Sequence, residues 1–271
     1  MLASNNGAFS NRIKCIMSCI RKGSCKEILW IVNPKKVDVS FDSIFDNTEF
    51  NIINSIHLAD SSLNEYNSSR LYVTDNDIPS GFSNINKDLT GIPYKDFPKD
   101  GRAIDHEYNK IPKLLQAEYR NILSRLCIKQ NILESVQNFL FINSLKSNQF
   151  IAIHARTWNY KSLNHTKREA CRRNTIDLEK IHFNILEIIK NNPSKKIFLA
   201  SDNFELIDSF KNYPNVCHRN FSRSVCPDAI NGFIDILIAS YANELHLTLH
   251  STFSEMIFWY NNNNPSVNFI Y

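Results

Sequence analysis

The stretch IAIHARTWN, residues 151–159, places an imidazole and a guanidinium at the end of an apolar run. His154 lies among residues typical of a buried strand, and Arg156 follows two positions later. A guanidinium presents a planar fork of N–H donors that matches phosphate oxygens, so Arg156 predicts an anion-binding site. The alternatives are a hydrogen-bonded core histidine at 154 and a surface arginine at 156 that pairs with a carboxylate.

Two further apolar runs end in polar residues that suit a nucleotide. KKIFLASD ends at Ser201 and Asp202, and ELHLTLH ends at His250, directly before Ser251 and Thr252. A helix is predicted to begin there, and its free backbone N–H groups and positive dipole end favour an anion. Asp202 can accept hydrogen bonds from a ribose or a base. Alternatively, STFS is an ordinary N-cap and Asp202 caps the helix that follows.

These three runs alternate with helical patterns over residues 150–260. The helical stretches are TIDLEKIHFNILEIIKNN, NFELIDSFKNY, AINGFIDILIASYA and STFSEMIFWY. Such alternation predicts a parallel sheet flanked by helices, and the carboxyl ends of its strands lie along one edge. We therefore expect the three polar ends to form one site. The chain has six glycines and neither a P-loop nor a GxGxxG motif, so side chains must bind most of a phosphate.

The first half of the chain predicts a second α/β domain. NRIKCIMSCI, residues 11–20, has the apolar spacing of an amphipathic helix; a loop containing Gly7 precedes it, and the strand EILWIV follows. Residues 41–100 are loop-rich, and helical patterns return over 111–145. A length of 271 residues fits two cores. We predict one domain over residues 1–148 and a second, which carries the three polar strand ends, over 149–271.

The composition excludes several classes of protein. Hydrophobic residues make up 43% and the net charge is +4, which fits a globular protein with an anionic ligand and does not indicate nucleic-acid binding. No apolar run reaches the roughly 20 residues of a membrane helix, and no signal peptide is evident. We expect a cytoplasmic protein with no membrane span in this chain; a lumenal fragment that had lost its anchor would look the same. The seven cysteines include no CxxC pair and predict reduced thiols and no metal site.

Together, the motifs resemble those of the GDP-fucose-dependent fucosyltransferases, which include the α1,2-, α1,6- and protein O-fucosyltransferases. IAIHARTWN resembles their His-x-Arg motif, IFLASDN their strand ending in Ser/Thr-Asp, and DILIASYANELHLTLHSTFSEM their third motif. NGAFSNRIKCIMSCI resembles the Gly-rich Asn-Arg loop and helix that open the acceptor domain. The chain departs from the pattern where Thr157 follows Arg156 and where two glycines of the opening loop are replaced.

The resemblance implies an α/β protein of the glycosyltransferase-B fold, with two Rossmann-like domains facing across a cleft. Residues 1–148 would form the acceptor-side domain and residues 149–271 the nucleotide-sugar-binding domain. It implies an inverting fucosyltransferase with GDP-fucose as donor substrate, no metal or other cofactor, and a glycan or glycoconjugate as acceptor. Arg156 would stabilise the departing β-phosphate, and His154 would contact the donor. The residues implied to bind the nucleotide sugar are Asp202 or Asp235 at the guanine or ribose, Ser251, Thr252 and Phe253 at the phosphate and base, and Asn11 and Arg12 from the opposite domain.

Other interpretations of the sequence remain open. A related transferase could use another nucleotide sugar, and a non-catalytic descendant could bind a glycan or nucleotide. A nucleic-acid binder would rest on the mild positive charge alone. A general base for the acceptor hydroxyl is not evident; Asp105, His106 and Glu107 are candidates, or else a solvated cluster at a loop or helix start.

Overall fold

The computed structural model describes residues 2–4, 7–23, 27–33, 37–46, 49–55, 65–66, 71–74, 101–104, 111–157, 177–219, 228–249 and 251–270. The chain divides into two compact units. One consists of Met1–Leu133 with Pro227–Ile230, and the other of Glu134–Cys226 with Asn231–Tyr271. The assignment of residues 1–148 to the acceptor side and of residues 149–271 to the nucleotide sugar stays a prediction.

The first unit contains a parallel sheet and an antiparallel pair of strands. Its elements are β1 (Leu2–Ser4), α1 (Phe9–Lys22), β2 (Glu27–Ile31), a 3₁₀ turn (Phe41–Ser43), β3 (Ile52–Ser55), β4 (Glu65–Tyr66), β5 (Leu71–Thr74), β6 (Gly101–Ile104) and α2 (Lys113–Ser124). The parallel sheet has the order β3-β2-β1-β4, and β5 pairs with β6. The sequence predicted a loop before α1, whereas the three-residue strand β1 precedes it.

Helix α1 shows why the apolar spacing of its sequence produces this structure. Ile13, Ile16 and Met17 are fully buried, so the apolar stripe faces the core as predicted. The helix ends at Gly23, whose φ of 69° is the left-handed conformation that glycine adopts without a steric penalty. The Gly23 N–H donates to the carbonyls of Cys19 and Ile20 and so satisfies the last turn.

Residues 150–270 form a five-stranded parallel sheet with helices between its strands. The elements are α3 (Gln130–Ile142), which precedes the sheet, β7 (Phe150–Ala155), α4 (Leu178–Asn191), β8 (Lys196–Ser201), α5 (Phe204–Asp208), β9 (Val216–Cys217), α6 (Ala229–Ser240), β10 (Glu244–Thr248), α7 (Thr252–Tyr260) and β11 (Ser266–Ile270). The strand order is β11-β10-β7-β8-β9, the arrangement of a Rossmann-type sheet. The predicted α/β class is confirmed. Strands β9 and β11 were not predicted, and α5 ends five residues earlier than NFELIDSFKNY suggested.

The core of this sheet is built from the predicted periodicities. Every residue of β7 is buried, and Ile151 and Ile153 pack in one cluster with three isoleucines of α4 at positions 181, 185 and 189. These positions repeat every four residues and therefore share one helix face. Asp177 caps α4, because its side chain accepts a hydrogen bond of 3.0 Å from the Lys180 N–H.

The amino end of β10 carries a group of charged side chains away from the strand ends considered above. Glu244 Oε1 lies 2.8 Å from His246 Nε2, and Oε2 lies 3.2 Å from Lys195 Nζ. Burial alone would raise the pKa of Glu244, but the hydrogen bonds and charges of His246 and Lys195 outweigh it and lower that pKa. The ionised carboxylate therefore stabilises the folded sheet.

The lowered pKa of Glu244 predicts a pH-dependent contribution to stability. A carboxyl group whose pKa is lower in the folded state contributes stability above its unfolded pKa, and that contribution is lost as the pH falls through the folded value. We expect Glu244→Gln to lower the free energy of unfolding at pH 7 by about 1 kcal/mol. Urea denaturation should show the deficit shrinking in acid, whereas a constant deficit would contradict the assignment. Glu187→Gln, which removes an exposed pair with Lys190 on α4, is the matched control.

Candidate functional site

The candidate site lies at the point of the second sheet where the strand order reverses, between β7 and β10. β7 pairs in parallel with β8 on one side and with β10 on the other. From β7 the sheet continues through β8 to β9 in one direction and through β10 to β11 in the other. In open α/β sheets, ligands bind in the crevice at the carboxyl ends of strands at such a switch point. The ends of β7, β8 and β10 are neighbours here, as the sequence predicted.

Arg156 extends from the end of β7 with its backbone and its charge both engaged. Its N–H donates to Thr248 Oγ1 at 2.8 Å. Its Nη1 lies 3.2 Å from Asp202 Oδ2, and 28% of the side chain is exposed, against 8% for Asp202. The guanidinium is thus oriented by a carboxylate while part of it remains accessible at the strand edge.

Asp202 holds the chain that follows β7. Its Oδ1 accepts hydrogen bonds from the Thr157 N–H at 2.7 Å and from the Thr157 hydroxyl at 3.0 Å. Its Oδ2, although close to Arg156, has no aligned hydrogen-bond donor among the described residues. The helix cap considered for Asp202 is supplied by Asn203, whose side chain accepts from the Leu206 N–H at 3.1 Å. The contact of Asp202 with a ribose or base stays a prediction.

His154 is buried and its ring is held on two sides. Its Nδ1 lies 2.7 Å from Ser254 Oγ, and its ring stacks on Phe253 with centroids 4.4 Å apart and planes inclined by 20°. Ser254 Oγ also accepts from the Thr248 N–H at 3.2 Å. The alternative of a hydrogen-bonded core histidine is thus confirmed for His154. Its contact with the donor stays a prediction.

The start of α7 is both a helix cap and the support for His154. Ser251 is the N-cap, and its side chain accepts from the Ser254 N–H at 3.4 Å. Thr252 and Phe253 in the first turn are half-buried. The N-cap interpretation of STFS is confirmed, and the cap orients the turn that presents Phe253 and Ser254 to His154. The binding of an anion by Ser251, Thr252 and Phe253 stays a prediction.

Asp235 lies on α6 and forms an ion pair that the sequence did not predict. Its Oδ1 is 3.2 Å from Arg219 Nη1, and the carboxylate is almost fully buried. Arg219 also donates to the Asn231 carbonyl at 2.9 Å. Gly232, one turn before Asp235 on α6, lies close to Phe253, since an added Cβ would lie 3.6 Å from Phe253 Cε2. The predicted nucleotide contact of Asp235 would have to coexist with this ion pair.

Asn11 and Arg12 belong to the first unit, in the first turn of α1. Arg12 is 2% exposed; its Nε donates to the Gly7 carbonyl at 2.9 Å, its Nη1 donates to the Ile31 carbonyl, and its guanidinium lies over the Trp30 ring. Burial lowers the pKa of Arg12 to about 10. Among the described residues, Arg12 Nη2 and Asn11 Oδ1 are buried without a hydrogen-bond partner. Their contact with a donor stays a prediction.

Three residues of the candidate site were missed by the sequence analysis: Thr157, Arg219 and Thr248. Ser254 belongs to the hydroxyls predicted at the start of the helix, but its contact with His154 was not predicted. Thr248 lies two positions before His250, so a search for hydroxyls beside polar strand ends would have found it. Arg219 follows the two-residue strand β9, which has no clear sequence signal. His250 and the base candidates Asp105, His106 and Glu107 lie outside the described residues.

Within the described ranges, no three His, Cys, Asp or Glu side chains are grouped as metal ligands, and no helix is long and apolar enough to cross a membrane. The free thiols described include Cys15 and Cys19, both buried, and the exposed Cys127.

Comparison with known proteins gives matches at the level of structure. No family model and no curated protein sequence matches the chain. An α1,6-fucosyltransferase, NodZ, in crystals soaked with GDP-fucose, is similar with a TM-score of 0.53 and 14% identity over 97% of this chain and 95% of that one. NodZ from Bradyrhizobium in selenomethionine form gives a TM-score of 0.55 at 12% identity, over 95% of this chain and 90% of that one.

A second group of similar structures consists of protein O-fucosyltransferases. POFUT1 in complex with GDP has a TM-score of 0.51 and 13% identity, over 99% of this chain and 97% of that chain. At these identities the likeness concerns the fold. The chain therefore shares the glycosyltransferase-B fold of GDP-fucose-dependent fucosyltransferases, as its motifs predicted.

Proposed function

We propose that this protein is an inverting glycosyltransferase that moves fucose from GDP-fucose to a hydroxyl of a glycan or glycoconjugate. The observation that carries the proposal is the place of Arg156. A partly exposed guanidinium, paired with Asp202, leaves β7 at the switch point of the sheet. The strand β10, which pairs with β7, leads at its carboxyl end to the hydroxyl-bearing start of α7. The fold shared with fucosyltransferases, one of them studied in crystals soaked with GDP-fucose, supports the choice of donor.

The reaction requires stabilisation of charge on the leaving group. The acceptor hydroxyl attacks the anomeric carbon and loses its proton to solvent or to a basic side chain. The bond from that carbon to the β-phosphate oxygen breaks, and its electron pair stays on GDP. A preorganised cation binds this developing charge more strongly than it binds the ground state, which lowers the barrier. Arg156 supplies the cation, and helix α7 supplies backbone N–H groups and hydroxyls near the phosphates.

Asp202 and His154 keep this arrangement rigid in the proposal. Asp202 contacts the guanidinium and the Thr157 backbone together, so it limits the directions that Arg156 can take. His154, which stacks on Phe253 and is hydrogen-bonded to Ser254, forms a fixed surface beside the donor. Preorganisation of this kind avoids reorganising dipoles during the reaction, and it is a large part of electrostatic catalysis.

The donor can be identified by its effect on stability. A ligand that binds only the folded protein stabilises it by mass action, by about 2.7 kcal/mol at a hundredfold excess over its Kd. We expect GDP and GDP-fucose to raise the melting temperature and UDP-sugars to leave it unchanged. Preference for another nucleotide sugar would assign a different transferase. Tight GDP binding without transfer or donor hydrolysis would assign a non-catalytic binding protein.

Removal of the guanidinium tests its catalytic role. We expect Arg156→Ala to cost about 3 kcal/mol or more in transition-state free energy, seen as at least a hundredfold fall in kcat/KM for transfer. Arg156→Lys should recover only part of it, because an ammonium keeps the charge and loses the planar fork. Arg125→Ala, which removes a surface guanidinium paired with Glu49, should leave turnover intact. Near-normal turnover of Arg156→Ala would refute the assignment.

Two substitutions of Ser251 separate capping from anion binding. Ser251→Ala should lower the free energy of unfolding by about 1 kcal/mol, because the α7 cap is lost. Ser251→Asp keeps a capping oxygen, so we expect near-native stability, but its negative charge should repel the diphosphate and weaken GDP binding. Urea denaturation and calorimetric titration with GDP measure the two effects. Unchanged GDP affinity in Ser251→Asp would place the phosphates elsewhere.

A further inference from the structure

The backbone of Arg156 is held by a side chain because the regular pairing of its strand has ended. The last paired residues between β7 and β10 are His154 and Leu247. Past this pair, the Thr248 hydroxyl replaces the ladder: it donates to the His154 carbonyl at 2.9 Å and accepts from the Arg156 N–H at 2.8 Å. One hydroxyl thus joins both peptide groups that flank Ala155, and its single hydrogen and a lone pair are both used.

The opposite side of the same segment is held by the end of β8. The Ser201 hydroxyl donates to the Ala155 carbonyl at 2.6 Å, and Asp202 Oδ1 accepts from the Thr157 N–H. The peptide groups around Arg156 therefore have partners on both neighbouring strands. Thr248 is the partner on the β10 side, at the switch point.

Thr248 also connects the segment around Arg156 with the start of α7. Its own N–H donates to Ser254 Oγ, which contacts the His154 ring. The residue is buried, and its hydrogen bond with Arg156 involves the backbone N–H of Arg156 and not the guanidinium. The hydroxyl therefore acts on the guanidinium through the backbone of residues 154–156.

The geometry points to Thr248 as a positioning residue for Arg156: its hydroxyl fixes the backbone from which the guanidinium extends toward the leaving diphosphate. This inference rests on the proposed function. A misplacement of a catalytic group by about 1 Å can lower the rate a hundredfold. Fixing the backbone at the base of a long side chain such as that of Arg156 therefore matters for its position in the site. Valine has almost the shape of threonine but cannot make either hydrogen bond.

The test is a double-mutant cycle with a matched control. We expect Thr248→Val to lower kcat at least about tenfold with little change in the KM for GDP-fucose, and Thr248→Ser to recover most of the turnover. In an Arg156→Ala background, Thr248→Val should cause no further loss, because the group that it would displace is gone. Ser240→Ala removes a buried hydroxyl that caps a carbonyl within α6 and should leave kcat unchanged. Thr248→Ala serves if the valine variant does not fold.

Amide hydrogen exchange separates this inference from the proposed function. The Arg156 N–H should exchange slowly in the wild type and in Thr248→Ser, and much faster in Thr248→Val. If the wild type is active, a fully active Thr248→Val variant would overturn the positioning role. Additive losses of kcat from Thr248→Val and Arg156→Ala in the double variant would overturn it too. A wild type that transfers no sugar would overturn the proposed function, while exchange would still show whether Thr248 holds the backbone. Equal exchange of the Arg156 N–H in all variants would show that Thr248 does not hold the backbone, and it would overturn the positioning role as well.

Discussion

The arrangement of the site depends on the need to satisfy backbone polar groups where parallel strands separate. At a switch point the backbone hydrogen bonds between the two strands that flank the crevice come to an end. The N–H and C=O groups beyond that point remain buried, and they cost free energy if they are left unpaired. Side chains of Thr248, Ser201 and Asp202 take over this pairing around β7. The polar residues that end the apolar strands are thus required by the fold, and the same residues orient Arg156.

A second layer of support comes from the helix that follows β10. Its N-cap shapes a turn whose next residues present one aromatic face and one hydroxyl to His154. Stacking fixes the plane of the imidazole and the hydrogen bond fixes its rotation, so the ring has little freedom left. The edge formed by β7, β10 and α7 therefore holds the imidazole in one orientation, a preorganisation that the proposed function would use.

The sequence predicted the second sheet well because its signals are local. Apolar runs with polar ends marked β7, β8 and β10, and helical spacing marked α4, α6 and α7. What it did not predict depends on distant partners. Strands as short as β1 and β9 exist only through pairing with a neighbour. Likewise, the contact between His154 and Ser254 joins residues a hundred positions apart, and Asp202 was interpreted through a ligand because its partner Thr157 lies in another motif.

The buried guanidinium of Arg12 has a consequence for how this protein can change over generations. An interior cation with one donor unsatisfied among the described residues carries a desolvation penalty, which its hydrogen bonds to the Gly7 and Ile31 carbonyls and its contact with Trp30 offset only in part. Under the proposed function, selection for activity should retain Arg12, whereas selection for heat resistance alone should tolerate its replacement more readily. Deep mutational libraries screened separately for thermal tolerance and for catalysis would diverge at this position, and the divergence would mark it as a residue kept at the expense of robustness.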